Sequence, residues 1–184
     1  MSLLSSLKLF HLLHFSKPHT DRALYRAIHA RKFRKMLLLG LGTGERAMRM
    51  IEVASVNLPP KELHLIGIDP FEDRGATEGP GLPLRTAYRM LHATGVRVQL
   101  LPGDVAESLM RMANGLGQVD LLLLSATVSA RQLGRAWFFV PRLLHERSEV
   151  YTELIGADGK HALQRMDRAE IGSLSSAFAR RRAA

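Results

Sequence analysis

The sequence predicts a Rossmann-like α/β fold: a three-layer sandwich whose mostly parallel sheet carries an antiparallel C-terminal hairpin at one edge. First, short and nearly continuous apolar segments alternate with amphipathic helical patterns from residue 36 onward. Such segments are typical of strands buried on both faces of a parallel sheet. Second, glycines at 40, 42 and 44 directly follow the first of these segments. Third, only a short turn separates the last two apolar segments, which permits a hairpin but no crossover.

The N-terminal residues 1–34 are predicted to be a helical segment that packs on a domain comprising residues 35–184. Apolar residues recur at helical spacing over 3–13, and 21–34 is predicted to be a second helix. Because the stretch before Asp21 contains lysine and serine but no acid, an organellar presequence or a surface-seeking amphipathic helix is the alternative. Packing on the domain is favoured because this stretch also lacks arginine.

The strands and helices of the domain follow from the alternating pattern. The parallel strands are expected at 36–41, 63–68, 96–101 and 119–124, and the helices at 44–56, 84–93, 105–114 and 129–145. The strand 36–41 is expected in the centre of the sheet. Pro141 is expected to kink or restart the last helix because proline lacks a backbone N–H. The irregular stretch 70–83, rich in glycine and proline, could act as a lid.

The C-terminal region has a different pattern. Residues 149–155 and 160–166 are predicted to be the two strands of the hairpin, joined by a turn at 156–159. Asp167 and Glu170 form a capping box for a final helix that carries Ile171, Leu174 and Phe178 on its apolar side.

Length and composition exclude several classes of protein. A chain of 184 residues with 46% hydrophobic and 23% charged residues has the composition of one globular domain. No apolar run reaches the roughly 18 residues that a membrane-spanning helix needs. The chain contains no cysteine, which excludes disulfides, thiolate metal sites and cysteine nucleophiles. A reducing, cytoplasmic location is the default expectation.

The net charge of +9 is concentrated at the two ends of the chain. Residues 1–35 contain eight Lys or Arg and one acid, and Arg180, Arg181 and Arg182 follow near the C-terminus, whereas 36–179 contain 15 basic and 16 acidic residues. A nucleic-acid partner is possible but not favoured, because terminal charge more often serves solvation than a shaped binding groove.

The glycine turn after the first strand is the most informative segment for function. Residues 37–45 read LLLGLGTGE; glycine permits a tight turn and close approach of a ligand to the backbone. The dinucleotide fingerprint requires a third glycine where Glu45 stands, and the charge of Glu45 would repel a pyrophosphate. The turn therefore argues against NAD and for a nucleoside ligand without phosphates.

The chain resembles the class I S-adenosylmethionine-dependent methyltransferases, in particular a divergent form of the small O-methyltransferases. Beside the glycine turn, Gly67-Ile68-Asp69 ends the second strand, Pro102-Gly103-Asp104-Val105 ends the third, and Val119-Asp120-Leu121 begins the fourth. The resemblance covers roughly 35–155. It implies S-adenosylmethionine as cofactor, with Asp69 on the ribose, Asp104 and the Val105 N–H near the adenine, and the glycine turn on the methionine portion. The implied cofactor-binding residues are Gly40, Leu41, Gly42, Gly44, Asp69, Pro70, Asp104, Val105 and Ser125.

Each of these residues also has a structural interpretation. The glycines could form a plain strand–helix turn, Asp69 could stabilise its loop, and Asp104 could cap the following helix. Asp120, at the start of its strand, is interpreted as structural. The eight histidines share no metal-ligand spacing, and no metal site is predicted.

Two positions depart from the family pattern. Leu38 replaces the acid that normally helps to hold the methionine ammonium, and Ser125 stands where related O-methyltransferases often place a metal-binding or substrate-positioning acid. We expect methyl transfer to a small molecule with no assignable catalytic residue. The alternatives are a non-catalytic methyltransferase-like binding or interaction domain and an RNA-directed methyltransferase. The N-terminal helix and the edge hairpin could both serve a homodimer.

Overall fold

The computed structural model describes residues 3–75, 81–128, 130–156 and 159–180. Six strands lie within these ranges: β1 (Lys35–Leu39), β2 (His64–Asp69), β3 (Arg97–Pro102), β4 (Val119–Leu124), β5 (Leu144–Ile155) and β6 (His161–Met166). The α-helices described there are α1 (Leu3–His14), α2 (Asp21–Arg31), α3 (Glu45–Ala54), α4 (Leu84–His92), α5 (Val105–Leu116), α6 (Ala130–Leu133) and α7 (Arg168–Arg180). A ten-residue 3-10 helix, Gly134–Leu143, connects α6 to β5.

The six strands form one sheet in the order β3-β2-β1-β4-β5-β6. The first five are parallel and β6 is antiparallel to β5, which confirms the predicted topology and the interior position of the first strand. Leu39 at the end of β1 lies opposite both Ile68 of β2 and Leu124 of β4. The carboxyl ends of these three strands therefore meet at one edge of the sheet, where open α/β sheets bind ligands.

Successive residues of β1 enter two different hydrophobic cores. Met36 and Leu38 pack with residues of α2, α3 and α4 on one face of the sheet. Leu37 and Leu39 pack on the other face with residues of α5, α7 and the 3-10 helix. Because side chains alternate across a strand, a strand that is covered on both faces needs an apolar residue at nearly every position.

The N-terminal helices lie on the first of these faces. Leu24, Tyr25 and Ile28 of α2 are fully buried beside the side chains of β1, and α1 contacts both α2 and α3. Leu12 of α1 is buried, whereas three large apolar side chains nearby are more than half exposed: Leu7, Phe10 and Phe15.

The predicted α-helix over 129–145 is wrong in both type and extent. Within the described residues, α-helical geometry covers Ala130–Leu133, and 3-10 geometry continues to Leu143. Pro141 lies inside the 3-10 segment, where its missing N–H removes an α-helical hydrogen bond. Strand β5 begins at Leu144, five residues earlier than predicted, because Leu144 pairs with Val119 before a register shift.

The predicted C-terminal hairpin and the cap of the final helix by Asp167 are confirmed. His161 pairs with Ile155 at the closed end of the β5–β6 hairpin, and the Glu170 N–H donates to Asp167 Oδ1 (2.7 Å) at the start of α7. Parts of the predicted lid and hairpin turn, and Arg181 and Arg182, lie outside the described residues. No helix in the described ranges has the length and apolar character needed to cross a membrane.

Candidate functional site

The glycine turn joins β1 to α3 through a left-handed backbone. Gly40, Gly42 and Gly44 have φ angles of +85°, +61° and +75°, a region that other residues enter only with strain. A Cβ atom on Gly40 would lie 2.8 Å from Thr127 Oγ1 and 2.9 Å from Ser125 Cβ. Glycine at position 40 therefore lets the turn approach the loop that follows β4.

Asp69, at the end of β2, is fully buried and organises this turn. Its Oδ2 accepts hydrogen bonds from the backbone N–H groups of Leu41 (2.5 Å) and Gly42 (3.1 Å). Its Oδ1 accepts one from the N–H of Phe71 (2.7 Å), and the guanidinium of Arg74 forms an ion pair with Oδ2. Both carboxylate oxygens are thus engaged by protein donors.

This environment bears directly on the ribose contact that the sequence predicts for Asp69. A sugar hydroxyl would have to join or replace the Arg74 guanidinium, whose side chain is itself 8% exposed. Gly81 packs so closely on Arg74 that an added Cβ would lie 2.2 Å from its Nε. The ribose contact stays a prediction, and it requires a movement of Arg74.

A small cavity lies at the carboxyl ends of β2 and β3. Arg74 and residues of the loop after β4 line it together with four of the predicted cofactor residues. These four are Gly40, Pro70, Asp104 and Val105. Asp104 caps α5, because its Oδ1 accepts from the N–H of Glu107 (2.9 Å). The structural interpretation of Asp104 is therefore confirmed, and the side chain also borders the cavity, whose volume is about 40 Å³.

A larger cavity of about 250 Å³ lies on the other side of Gly40, and we call it the charged cleft. One wall of the cleft is lined by residues 40–43 of the glycine turn, together with Leu38 and Ser125. The other wall comes from four different elements and consists of charged or ionisable side chains: Asp21 of α2, Arg46 of α3, Glu153 of β5 and His161 of β6. Gly40 borders both cavities.

Arg46 joins the two carboxylates of the charged cleft. Its terminal nitrogens donate to Glu153 Oε2 (2.8 Å) and Oε1 (2.5 Å), and its Nε donates to Asp21 Oδ2 (3.1 Å). The carboxylates are almost inaccessible, with side-chain exposures of 2% for Asp21 and 5% for Glu153. We call Asp21, Arg46 and Glu153 the carboxylate–guanidinium cluster.

Two further groups bind Glu153. The Ala126 N–H donates to Glu153 Oε2 (3.0 Å), and His161 Nδ1 lies 3.0 Å from Oε1. Burial alone would raise the pKa of Glu153, but the hydrogen bonds and charge of Arg46 outweigh it and lower the pKa from 4.5 to about 2. Burial would likewise lower the pKa of Arg46, and the hydrogen bonds and charges of both carboxylates raise it instead.

Sequence reasoning did not find this cluster, because its members are far apart in the chain and share no motif. Two signals were available: Arg46 lies two residues after the glycine turn, and Glu153 lies near the carboxyl end of a predicted strand. Glu45 was considered instead, but its side chain is 73% exposed and pairs with Arg49.

The remaining predicted positions lie as follows. Leu41, Gly42 and Ser125 line the charged cleft, and Gly44 precedes the first residue of α3. Asp120 lies at the opposite edge of the sheet, where its Oδ2 accepts from the N–H groups of Arg34 (2.8 Å) and Lys35 (2.7 Å). This supports the structural interpretation of Asp120. The described part of the chain contains no group of three or more His, Asp or Glu that could hold a metal.

Solved structures share this architecture. A protein assigned as a caffeoyl-CoA O-methyltransferase from Staphylococcus aureus is 13% identical with a TM-score of 0.54, over 98% of this chain and 81% of that one. An O-methyltransferase from Bacillus cereus, in complex with S-adenosylhomocysteine, is 12% identical with a TM-score of 0.56, over 86% and 70%. A Plasmodium falciparum protein assigned as a protein-L-isoaspartate O-methyltransferase, also holding S-adenosylhomocysteine, is 15% identical with a TM-score of 0.53, over 82% and 66%.

The likeness defines the class of fold. No family model matches the sequence, and no curated protein matches it. At identities of 12–15%, the structural agreement establishes the class I S-adenosylmethionine-dependent methyltransferase fold that the sequence motifs predicted.

Proposed function

We propose that this protein binds S-adenosylmethionine and transfers its methyl group to a small molecule. The proposal rests on one observation: Gly40 borders both cavities. It lies at the edge of the sheet where β1, β2 and β4 end. A nucleoside joined to an amino acid needs an apolar, donor-bearing pocket for one half and a polar pocket for the other. This edge offers both.

The residues that line the small cavity suit the adenine half, but its volume of about 40 Å³ has room for only a few water molecules, so it must widen before a purine enters. Asp104 can accept from an exocyclic amino group, and the N–H of Val105, at the free N-terminal end of α5, can donate to a ring nitrogen. Pro70 supplies an apolar surface on the same cavity. The cavity would widen if Arg74 left Asp69, and this movement would also free the Asp69 carboxylate for the ribose hydroxyls.

The charged cleft suits the amino-acid half and the methyl acceptor. Bound S-adenosylmethionine would supply a methyl group on a sulfonium centre, which needs positioning and exclusion of water more than a catalytic side chain. The glycine turn would hold the backbone-facing side of the ligand, and Ser125 lies at the junction of the turn and the cleft. A small acceptor fits this proposal because a cleft of about 250 Å³ has little room beyond the amino-acid half.

A non-catalytic, methyltransferase-like binding domain is the second candidate function. The Asp69–Arg74 ion pair and the buried Leu38 favour it, since both reduce the groups that are free to hold a cofactor. Calorimetry with S-adenosylmethionine and S-adenosylhomocysteine shows whether the protein binds either nucleoside. Transfer of a labelled methyl group to a small-molecule extract then separates catalysis from binding alone.

Asp69→Ala is the first site variant to test. Its matched control is Asp73→Ala, at an exposed residue four positions along the chain. Charge-assisted hydrogen bonds contribute about 1.5–3 kcal/mol each, so we expect Asp69→Ala to weaken nucleoside binding at least about tenfold while Asp73→Ala leaves it unchanged. No heat with either nucleoside at millimolar concentration would refute the proposed function. Binding that survives Asp69→Ala would keep the function and refute the role of Asp69.

A further inference from the structure

The carboxylate–guanidinium cluster carries one more negative than positive charge. Asp21 and Glu153 are two buried carboxylates, and Arg46 is the one guanidinium that joins them. His161 also contacts Glu153, and it adds a positive charge only when it is protonated. The other charged pair on this cleft, Glu45 with Arg49, is balanced. A buried charge without a counter-charge is unfavourable, so the cleft is electrostatically prepared for a cation.

One oxygen of the cluster lacks a donor. Asp21 Oδ2 accepts from Arg46 Nε (3.1 Å) and from the hydroxyl of Tyr25 (3.3 Å). Asp21 Oδ1 is buried and has no hydrogen-bond partner among the described residues. Buried carboxylate oxygens are normally satisfied, so this atom marks where a further donor belongs.

Arg46 does not supply that donor. Its two terminal nitrogens are both engaged by Glu153, and its Nε already donates to Asp21 Oδ2. A donor from outside the cluster would satisfy this oxygen, and a compact, positively charged donor would also balance the surplus charge. A primary ammonium group, with three N–H donors on one small cation, has these properties.

We propose that the carboxylate–guanidinium cluster recognises a primary ammonium group, with Asp21 as the residue that contacts it. Where the ammonium belongs to the amino-acid half of the bound nucleoside, the inference rests on the proposed function. Glu153 and Arg46 then act as positioning residues, because they hold the Asp21 carboxylate at the cleft. Leu38 of β1 has no charge to offer an ammonium group. Asp21, in the N-terminal helical segment, would supply the negative charge at this cleft instead.

The first arm of the test compares two nucleosides that differ in one group. S-adenosylhomocysteine has the α-ammonium, and its desamino analogue has hydrogen in its place. We expect the protein to bind S-adenosylhomocysteine at least about tenfold more tightly than the analogue, from the strength of a charge-assisted hydrogen bond. In Asp21→Asn, which keeps the shape and one acceptor oxygen, we expect this ratio to fall to less than about threefold.

Glu45→Gln is the matched control, because it removes the same charge from the same cleft at a side chain that is 73% exposed. It should leave the ratio unchanged. Equal binding of the two nucleosides by the wild-type protein would overturn the assignment of the ammonium to the nucleoside. A ratio that survives in Asp21→Asn, with thermal unfolding showing that the variant is folded, would place the ammonium on other residues and overturn the inference. A ratio that survives only in a folded Glu153→Gln would refute the positioning role of Glu153.

The second arm uses propylamine and propanol on the wild-type protein, with binding followed by chemical-shift changes of the Asp21 and Arg46 amides. It distinguishes an amine acceptor from the nucleoside's own ammonium, and it does not depend on nucleoside binding. Chemical-shift changes with propylamine that are absent with propanol, and absent in Asp21→Asn, would support an ammonium site. This result would support the site even if neither nucleoside binds. The absence of nucleoside binding would then refute the proposed function alone. Failure of both arms would overturn the inference.

Discussion

Replacing Glu153 by glutamine tests the charge arrangement at the centre of the cleft. The pKa of Glu153 is lowered from 4.5 to about 2, against the effect of burial, by the hydrogen bonds and charge of Arg46. A lowering of this size corresponds to about 3 kcal/mol of stability. Because the folded-state pKa is depressed, this stability is present above the ordinary pKa of a glutamate and is lost as the pH falls through the folded-state value.

The assay is urea denaturation of the wild-type protein and Glu153→Gln at pH 7 and at about pH 3. We expect the free energy of unfolding of Glu153→Gln to be about 3 kcal/mol lower than that of the wild type at pH 7. At about pH 3 this difference between the two proteins should be smaller by about 2 kcal/mol. Glu45→Gln, at a side chain that is mostly in solvent, should show little difference at either pH. A difference between wild type and Glu153→Gln that does not change with pH would refute the reasoning, since only an ionisation-linked contribution can vary in this way.

Three further predictions concern the glycine turn and its neighbours. Asp69→Asn should lower the unfolding free energy by about 3 kcal/mol or more, because it removes one member of a buried ion pair; unchanged urea denaturation would contradict the role of Asp69 in holding the turn. Gly44→Ala should lower the melting temperature, because a Cβ would lie 2.5 Å from Met90 Cε at a φ of +75°. Gly115 lies in the last turn of α5, and an added Cβ there would meet nothing within 4 Å. Gly115→Ala should therefore leave the melting temperature unchanged or raise it slightly. A lower melting temperature for Gly115→Ala than for Gly44→Ala would contradict this explanation. Asp104→Ala should cost about 1 kcal/mol of stability through the lost cap, and calorimetry with adenosine would show whether it also loses affinity.

The sheet and its glycine turn could be predicted from the sequence because each depends on local pattern. A strand buried on both faces must be apolar at most positions, and β1, β2 and β4 consist mainly of apolar residues. Gly40, Gly42 and Gly44 require no tertiary information to be recognised as a turn with positive φ angles. The capping role of Asp104 was also readable, since a cap and its helix are adjacent in the chain.

Long-range contacts determine the features of the fold and of the site that the sequence did not predict. The pattern of 129–145 is helical, but it cannot show that Leu144 pairs with Val119 and begins a strand. Asp69 was predicted to lie at the carboxyl end of the second strand, but its hydrogen bonds with Leu41 and Gly42 and its ion pair with Arg74 depend on how three loops meet.

The carboxylate–guanidinium cluster is the clearest case. Asp21 and Glu153 are 132 positions apart in the chain, and nothing local to either one distinguishes it from a solvated surface acid. Both carboxylates are buried beside Arg46, and together the three side chains form one site with a surplus negative charge. Local pattern determines which segments are strands, helices and turns, whereas the sign of the charge inside a cleft depends on which distant side chains share the same low-dielectric space.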